Sequence, residues 1–176
     1  MISLQLPDIK YKETYLDAVR EIHAKKSEND ATDHYFTRSI DDLDTHFAEI
    51  IAEYGNKRKG INLPEGKVPR IQYWIIDENG TYCGRISLRP MLNDSLKEFG
   101  GNIGYDIIPS QRGKHYASQA LRLCLIEAKK LGLTEVLLTC NDTNIPSIRT
   151  IESNHGILID KIMRNNKLIR RYKILL

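Results

Sequence analysis

Residues 103–118 read IGYDIIPSQRGKHYAS, and this stretch decides the fold. The stretch begins within GGNIGYDII (100–108), which reads as a strand ended by Pro109. A turn follows that holds Arg112, Gly113 and Lys114, and a helix begins at once. Ala117, Ala120, Leu121, Cys124, Leu125, Ala128 and Leu131 then recur at i, i+3, i+4 and i+7, and Gly132 ends the pattern. A helix start leaves unpaired N–H groups and a partial positive charge. The small residues Gly113, Ala117 and Ser118 let a ligand approach that backbone, and two cations stand beside it. The combination suits an anion such as a pyrophosphate. A tight loop with solvated basic side chains fits the same local pattern. Neither G-x-x-x-x-G-K-[ST] nor G-x-G-x-x-G occurs, so this is not a P-loop or a dinucleotide fingerprint.

Working outward, TEVLLTC (134–140) reads as a buried strand, Asn141 to Asn144 as a turn, and 145–154 as a short helix closed by Gly156. ILIDKIM and KLIRRYKILL, joined around Asn165-Asn166, read as a terminal hairpin. Upstream, IQYWII (71–76) and TYCGRISL (81–88) flank Asp77-Glu78-Asn79-Gly80, a second hairpin. Residues 2–6 form a strand ended by Pro7. Tyr11 to about Lys26 forms a helix with Tyr15, Ala18, Val19 and Ile22 on one stripe. Asp41 or Asp42 caps a second helix to about Tyr54, with Leu43, Phe47, Ile50 and Ile51 inward, and 55–69 is a loop. Helices do not alternate regularly with strands, which argues against doubly wound and barrel folds. The expected class is α+β: a single central mixed, mostly antiparallel sheet flanked by helices on both faces, in one domain spanning 1–176.

Composition narrows function. The 176 residues carry 26 Lys plus Arg against 23 Asp plus Glu, a net charge of +3. With acids and bases interspersed, a dedicated nucleic-acid partner is not expected. Hydrophobic residues at 41% and charged residues at 28% exclude disordered, collagen-like and rod-like chains. Apolar runs fall short of the ~20 residues of a membrane span. The first fifteen residues lack the apolar core of a secretory signal. Cys83, Cys124 and Cys140 form no C-x-x-C pair, which fits a reducing cytoplasm. The five histidines show no ligand spacing, so no metal is expected.

The run PSQRGKHYASQALRLCLIEAKKLGL resembles motif A of the GNAT N-acetyltransferases, with its Q/R-x-x-G-x-G/A signature. TEVLLTCNDTNIPSIRTIESNHG resembles the next strand and N-x-x-[SA] helix of that family. VPRIQYWIIDENGTYCGRISLRP and KLIRRYKI are similar to one bacterial branch of acetyltransferases. The resemblance implies the GNAT fold, acetyl-coenzyme A as co-substrate, and an amine-bearing small molecule or peptide as acceptor. Arg112 occupies the Q/R position, Gly113 and Lys114 the variable positions, His115 the place of the usual Gly, and Ala117 the final G/A. With Tyr116 and Ser118 these residues are implied to hold the pyrophosphate. The backbones of Ile107 and Ile108 are implied to pair with the pantetheine arm by strand addition. Asn144 and Ser147 match positions that contact pantetheine and phosphates, and Asn144 is also a natural helix N-cap. His115 departs from the pattern. A helical conformation there, tolerant of a Cβ, is the expected one.

The residue aligned with the family's proton-donating Tyr is Ile151. No carboxylate matches the family's base, so Asp106 and Glu98, the nearest, are the catalytic candidates, acting through water. Asp106 alternates with Tyr105 and Ile107, which also suits a structural partner. Cys140 reads as a buried thiol rather than a nucleophile, and Arg164, Lys167, Arg170, Arg171 and Lys173 as a solvated hairpin. His34, Tyr35, Phe36 and Trp74 read as core or surface, or as walls of an acceptor pocket. The departures at His115 and Ile151 keep open a catalytically degenerate acyl-coenzyme-A-binding module. A sheet edge or the terminal hairpin offers a surface for a homodimer.

Overall fold

The computed structural model describes residues 1–25 and 38–176. In chain order these form β1 (Ile2–Gln5), α1 (Lys12–Lys25), α2 (Ile40–Thr45), α3 (Phe47–Lys59), β2 (Ile71–Asp77), β3 (Tyr82–Leu88) and α4 (Asp94–Glu98). Then come β4 (Ile103–Ile107), α5 (Tyr116–Lys130), β5 (Glu135–Asn141), α6 (Ile145–Glu152), β6 (Ile157–Arg164) and β7 (Lys167–Leu175). The helix expected from Asp41 to Tyr54 is two helices, capped by Ser39 and broken at His46, whose φ of −104° and ψ of 18° leave the helical region. The second runs past Tyr54 into the expected loop. Lys57 pairs with Glu53 one turn back at 2.6 Å, and the cations of the last turn suit the negative end of the helix, which Gly60 closes in the left-handed region. The short α4 has no apolar periodicity to announce it. It forms because Asn93 Oδ1 accepts the Leu96 N–H as a cap.

The α+β arrangement is present, with the sheet divided into two hydrogen-bonded sets, β1-β2-β3-β4 and β5-β7-β6, each antiparallel throughout. Among the described residues the two sets are joined around Asn102. The Asn102 N–H donates to the Leu137 carbonyl at 2.7 Å, and Asn102 Oδ1 accepts the Leu137 N–H at 2.8 Å. One residue thus supplies both halves of a ladder rung, half of it through a side chain. The Gly100 N–H adds a bond to Thr139 Oγ1 at 3.0 Å. Gly101 sits between them with φ of +63°, and a Cβ there would lie 2.2 Å from the Leu137 oxygen. Past this joint β4 and β5 part.

Strand alternation sorts side chains to two cores. Ile75, Ile86, Leu88, Ile103, Leu121, Cys124, Val136, Leu138 and Ile151 pack on the α5 and α6 side. Trp74 and Ile76 point the other way, into an aromatic cluster with Tyr15, Phe47, Tyr54 and Tyr82 under α1 to α3. Tyr15 stacks on Trp74 with centroids 4.8 Å apart. Trp74 is fully buried, so it is core and not an acceptor wall. His34, Tyr35 and Phe36 lie outside the described residues. Gly101→Ala adds a left-handed-backbone penalty to an overpacked backbone contact, and urea unfolding is expected to show a loss of about 2–4 kcal/mol. A change under about 0.5 kcal/mol would contradict the close approach of Gly101 to Leu137.

Candidate functional site

The split between β4 and β5 exposes one edge of β4, and the register says which residues. The Ile108 N–H donates to the Cys83 carbonyl at 2.9 Å, and the Asn102 carbonyl accepts from the Arg89 N–H at 2.8 Å. Antiparallel pairing alternates, so the backbones of Gly104 and Asp106 also face β3. The N–H and C=O groups of Ile103, Tyr105 and Ile107 face the split. The pair expected to hold an extended ligand is therefore divided. Ile107 faces the split, whereas Ile108 is engaged on both sides, with its carbonyl accepting the Gln111 N–H at 2.8 Å. Its side chain is buried among the α1 to α3 aromatics. The cause is parity: neighbours on a strand cannot present the same edge.

Beyond Ile108 the chain makes one 3-10 turn, Pro109–Gln111, and enters the loop before α5. Arg112 is exposed, and its Nε donates to the Ile107 carbonyl at 3.1 Å. Gly113 has φ of +80° with open space around it. His115 has φ of +59° and ψ of 18°, which corrects the expected helical conformation. The position does require the left-handed region. His is among the side chains that enter it with least difficulty, which is how the loop keeps its shape without the family's Gly. His115 serves as the N-cap residue of α5 through its carbonyl, which accepts from the Gln119 N–H at 3.1 Å, and its side chain makes no cap bond. The first amides of α5, at Tyr116, Ala117 and Ser118, are those a helix start leaves without a partner inside the helix. Lys114 Nζ sits on Gln111 Oε1 at 2.8 Å and 5.8 Å from the Tyr116 ring.

Two ties set this loop in place, and the sequence reading found neither. Glu21 of α1 accepts the Ser110 N–H at 2.7 Å and also the Ser110 hydroxyl. Buried Asn154 donates to Ser118 Oγ at 3.0 Å and to the Thr150 carbonyl at 2.9 Å, locking the start of α5 to α6. Ser118 also meets Ser153 Oγ at 3.2 Å. Asn144 is exposed and caps α6, accepting the Ser147 N–H at 3.1 Å. Ser147 is half-buried, and its carbonyl accepts the Tyr105 hydroxyl at 3.3 Å. Tyr105 thus reaches from β4 to α6 across the foot of the split. Burial pushes its hydroxyl up to about 12, so it stays protonated as a donor at neutral pH. Its alternation phase along β4 was the available signal for it.

The two candidate carboxylates are not brought together. Asp106 points to the α1–α3 face, where its Oδ2 meets Arg85 Nη2 at 2.7 Å. Glu98 is exposed at the end of α4, on the far side of the Asn102 joint from the Arg112 loop. Ile151 is buried core, with Gly156 packed so closely that a Cβ there would lie 2.3 Å from Ile151 Cγ2. Burial pushes the Cys83 and Cys140 thiols up to about 11 and Cys124 to about 12, far from the thiolate a nucleophile needs. Three of the five hairpin cations are ion-paired: Arg170 with Asp142 at 2.5 Å, Arg171 with both Asp160 oxygens, and Lys173 with Glu135 at 3.3 Å. Among the described residues, no three His, Cys, Asp or Glu side chains converge as a metal site, and no helix is long and apolar enough to cross a membrane.

A family model described as acetyltransferase (GNAT) domain matches residues 12–156. Among solved structures, the chain is similar to a microcin C7 self-immunity acetyltransferase in complex with acetyl-CoA and AMP, at 17% identity and a TM-score of 0.67, covering 99% of this chain and 92% of that one. It is also similar to a ribosomal L7/L12 alpha-N-protein acetyltransferase in complex with coenzyme A, at 16% identity and a TM-score of 0.67, covering 99% and 94%. An N-acetyltransferase from Staphylococcus aureus Mu50 matches at 16% identity and a TM-score of 0.63, covering 99% and 98%. No match to a curated protein sequence was found.

The backbone at residue 115 makes its own prediction. His115→Gly is expected to leave thermal stability within about 1 kcal/mol, because relief of the left-handed penalty offsets the added chain entropy. His115→Val, β-branched at positive φ, is expected to lose about 1–2 kcal/mol. Equal stability of the Val and Gly variants in urea titrations would contradict the left-handed assignment.

Proposed function

The chain belongs to the GNAT acetyltransferase family, and from that premise we propose that it transfers an acetyl group directly from acetyl-coenzyme A to a primary amine of a small molecule or peptide. The observation that carries this reading is the split itself: an exposed strand edge at Ile107 leads straight into a helix start flanked by Arg112 and Lys114. That donor set fits the co-substrate. Extended amide-bearing chains pair with strand edges, and pyrophosphates suit helix starts. The N–H groups of Gly113 to Ser118, with the Arg112 guanidinium, would hold the pyrophosphate, and the Ile107 edge would hold the pantetheine. Asn144 and Ser147 stand on the opposite lip, where the cap of α6 and the pantetheine-facing role coexist. On this reading residues 1–176 act as one domain, in the cytoplasm.

In the reaction the neutral amine nitrogen forms a bond to the thioester carbonyl carbon, the carbon–sulfur bond breaks, and the proton the nitrogen loses replaces, through water, the one the leaving sulfur takes up. A lysine-like amine has a pKa of about 10.4 and an α-amine about 8, so at neutral pH either must lose a proton before attack. Asp106 is held by Arg85 and Glu98 stands beyond the joint, so either would act only through water. A split-facing N–H farther along β4 from the loop, at Tyr105 or Ile103, supports the developing oxyanion. For the leaving sulfur, Tyr105 takes the place that Ile151 cannot fill: its hydroxyl arrives at α6 from the strand instead of from the helix. The raised cysteine pKa values favour direct transfer over an acetyl-cysteine intermediate.

The similar structures bear acetyltransferase names for both a ribosomal protein's alpha-amine and self-immunity to a microcin, so peptide and small-molecule acceptors both enter the screen. A second reading, an acyl-coenzyme-A-binding module without turnover, is favoured by the apolar Ile151 and the ion-paired Asp106. Release of free thiol with amine panels separates the two. Arg112→Ala is expected to weaken acetyl-coenzyme A binding by about 1.5–3 kcal/mol in calorimetric titration while leaving unliganded stability nearly unchanged. Tyr105→Phe is expected to lower kcat by about 100-fold or more with cofactor affinity retained. An unaltered kcat would remove Tyr105 from the chemistry. Binding with no acetylated product from any amine would favour the module.

A further inference from the structure

A cavity of about 770 Å³ lies between the end of α3, the segment leading to β2, the end of β3 and the start of α4. Its volume is in the range of small-molecule sites. Its lining holds four cations, Lys57, Lys67, Arg70 and Arg89, against one carboxylate, Glu53. Glu53 meets Lys57 at 2.6 Å. Among the described residues, Lys67, Arg70 and Arg89 have no carboxylate partner. Arg89 is fixed rather than splayed into solvent: its N–H and C=O bond to Asn102 at 2.8 and 2.9 Å, and its Nη1 donates to the Gly101 carbonyl at 3.2 Å. Burial, and then the charges of Arg70 and Arg85, lower its pKa to about 10. The walls are tied together. The Arg70 N–H bonds to the Lys57 carbonyl at 3.1 Å, and Asn93 Nδ2 bonds to the Gly66 carbonyl at 2.7 Å. Like charges gathered at a half-buried wall raise the energy of the empty cavity, and an anion relieves them.

The cavity also lies in a telling direction. Arg89 is bonded to Gly101 and Asn102, at the closed end of the split, while the Arg112 loop is at its open end. From Ile107 to Ile103 is about 13 Å at 3.3 Å per residue. A chain anchored at the loop and laid along this edge carries its thioester toward the closed end. Resting on the acetyl-transfer reading, we infer that this cavity receives a carboxylate or phosphate group carried by the amine acceptor, held by Arg89 and Arg70.

Calorimetric titration of the full chain with glutarate and with inorganic phosphate tests the site without turnover. Wild-type protein is expected to bind at least one of them, with affinity lowered at least 10-fold in Arg89→Gln and in Arg70→Gln and retained in Arg112→Ala. Arg70 is only half-buried, so its variant keeps the test valid if Arg89→Gln fails to fold. No binding by wild-type, or loss in Arg112→Ala but in neither cavity variant, overturns the site. Matched amines with and without a carboxylate or phosphate then test the occupant at saturating acetyl-coenzyme A. The anionic amine is expected to have the lower KM, and Arg89→Gln to raise that KM at least 10-fold with a much smaller change in kcat. An unchanged KM overturns the acceptor assignment. Arginine-dependent anion binding with no turnover of any amine marks failure of the acetyl-transfer reading and also overturns the acceptor assignment, leaving a plain anion site.

Discussion

The bond pair between Asn102 and Leu137 governs the site. A continuous ladder between β4 and β5 would leave no edge for a ligand, and two sheets with no joint would leave the edges unpositioned. Asn102 supplies one rung and stops there, because its second bond comes from a side-chain oxygen and the chain before it turns through two glycines at positive φ. Gly101 makes the approach possible, since any Cβ would collide with the Leu137 carbonyl. From that hinge point the geometry follows. Parity along β4 decides that Ile107 faces the split and Ile108 does not, and one turn after β4 the chain enters the loop that starts α5. The same residue holds Arg89 by its backbone, so one side chain organises both the split and the wall of the cationic cavity.

Much of this was legible in the residues. The 3.6-residue period of α5, the Asn-Gly turn before β3 and the Asn165-Asn166 turn before β7 each state their structure locally, and all three elements stand where their patterns put them. What could not be read has two causes: some of it is local but leaves no periodic pattern, and the rest depends on contacts distant along the chain. The break at His46 and the capped α4 carry no periodic signal. The division of the sheet rests on Asn102, whose role appears only with Leu137 opposite it, 35 residues on. Likewise Glu21 reaches Ser110 across 89 residues.

The site residues divide in the same way. The loop from Arg112 to Ser118 was found from its own composition, because an anion site at a helix start is a local device. The conformation of His115 is not legible in the sequence, because positive φ leaves no mark when the residue is not Gly. Catalytic groups were hardest, because they are brought together by the fold. Asp106 looked available on sequence distance and is paired with Arg85 across a strand. Tyr105, one residue away and on the opposite face, reaches α6. A one-residue shift along a strand changes a structural ion pair into a donor at the foot of the split.

The parted edge of β4 and the start of α5 are read together as one ligand site. Amide hydrogen exchange with and without acetyl-coenzyme A, read residue by residue, tests it directly. Slowed exchange is expected at Ile107 and across Gly113 to Ser118, with little change at Asn79 and Gly80 in the turn between β2 and β3. Unchanged exchange at Ile107 and the α5 start, with acetyl-coenzyme A shown to be bound, would contradict it.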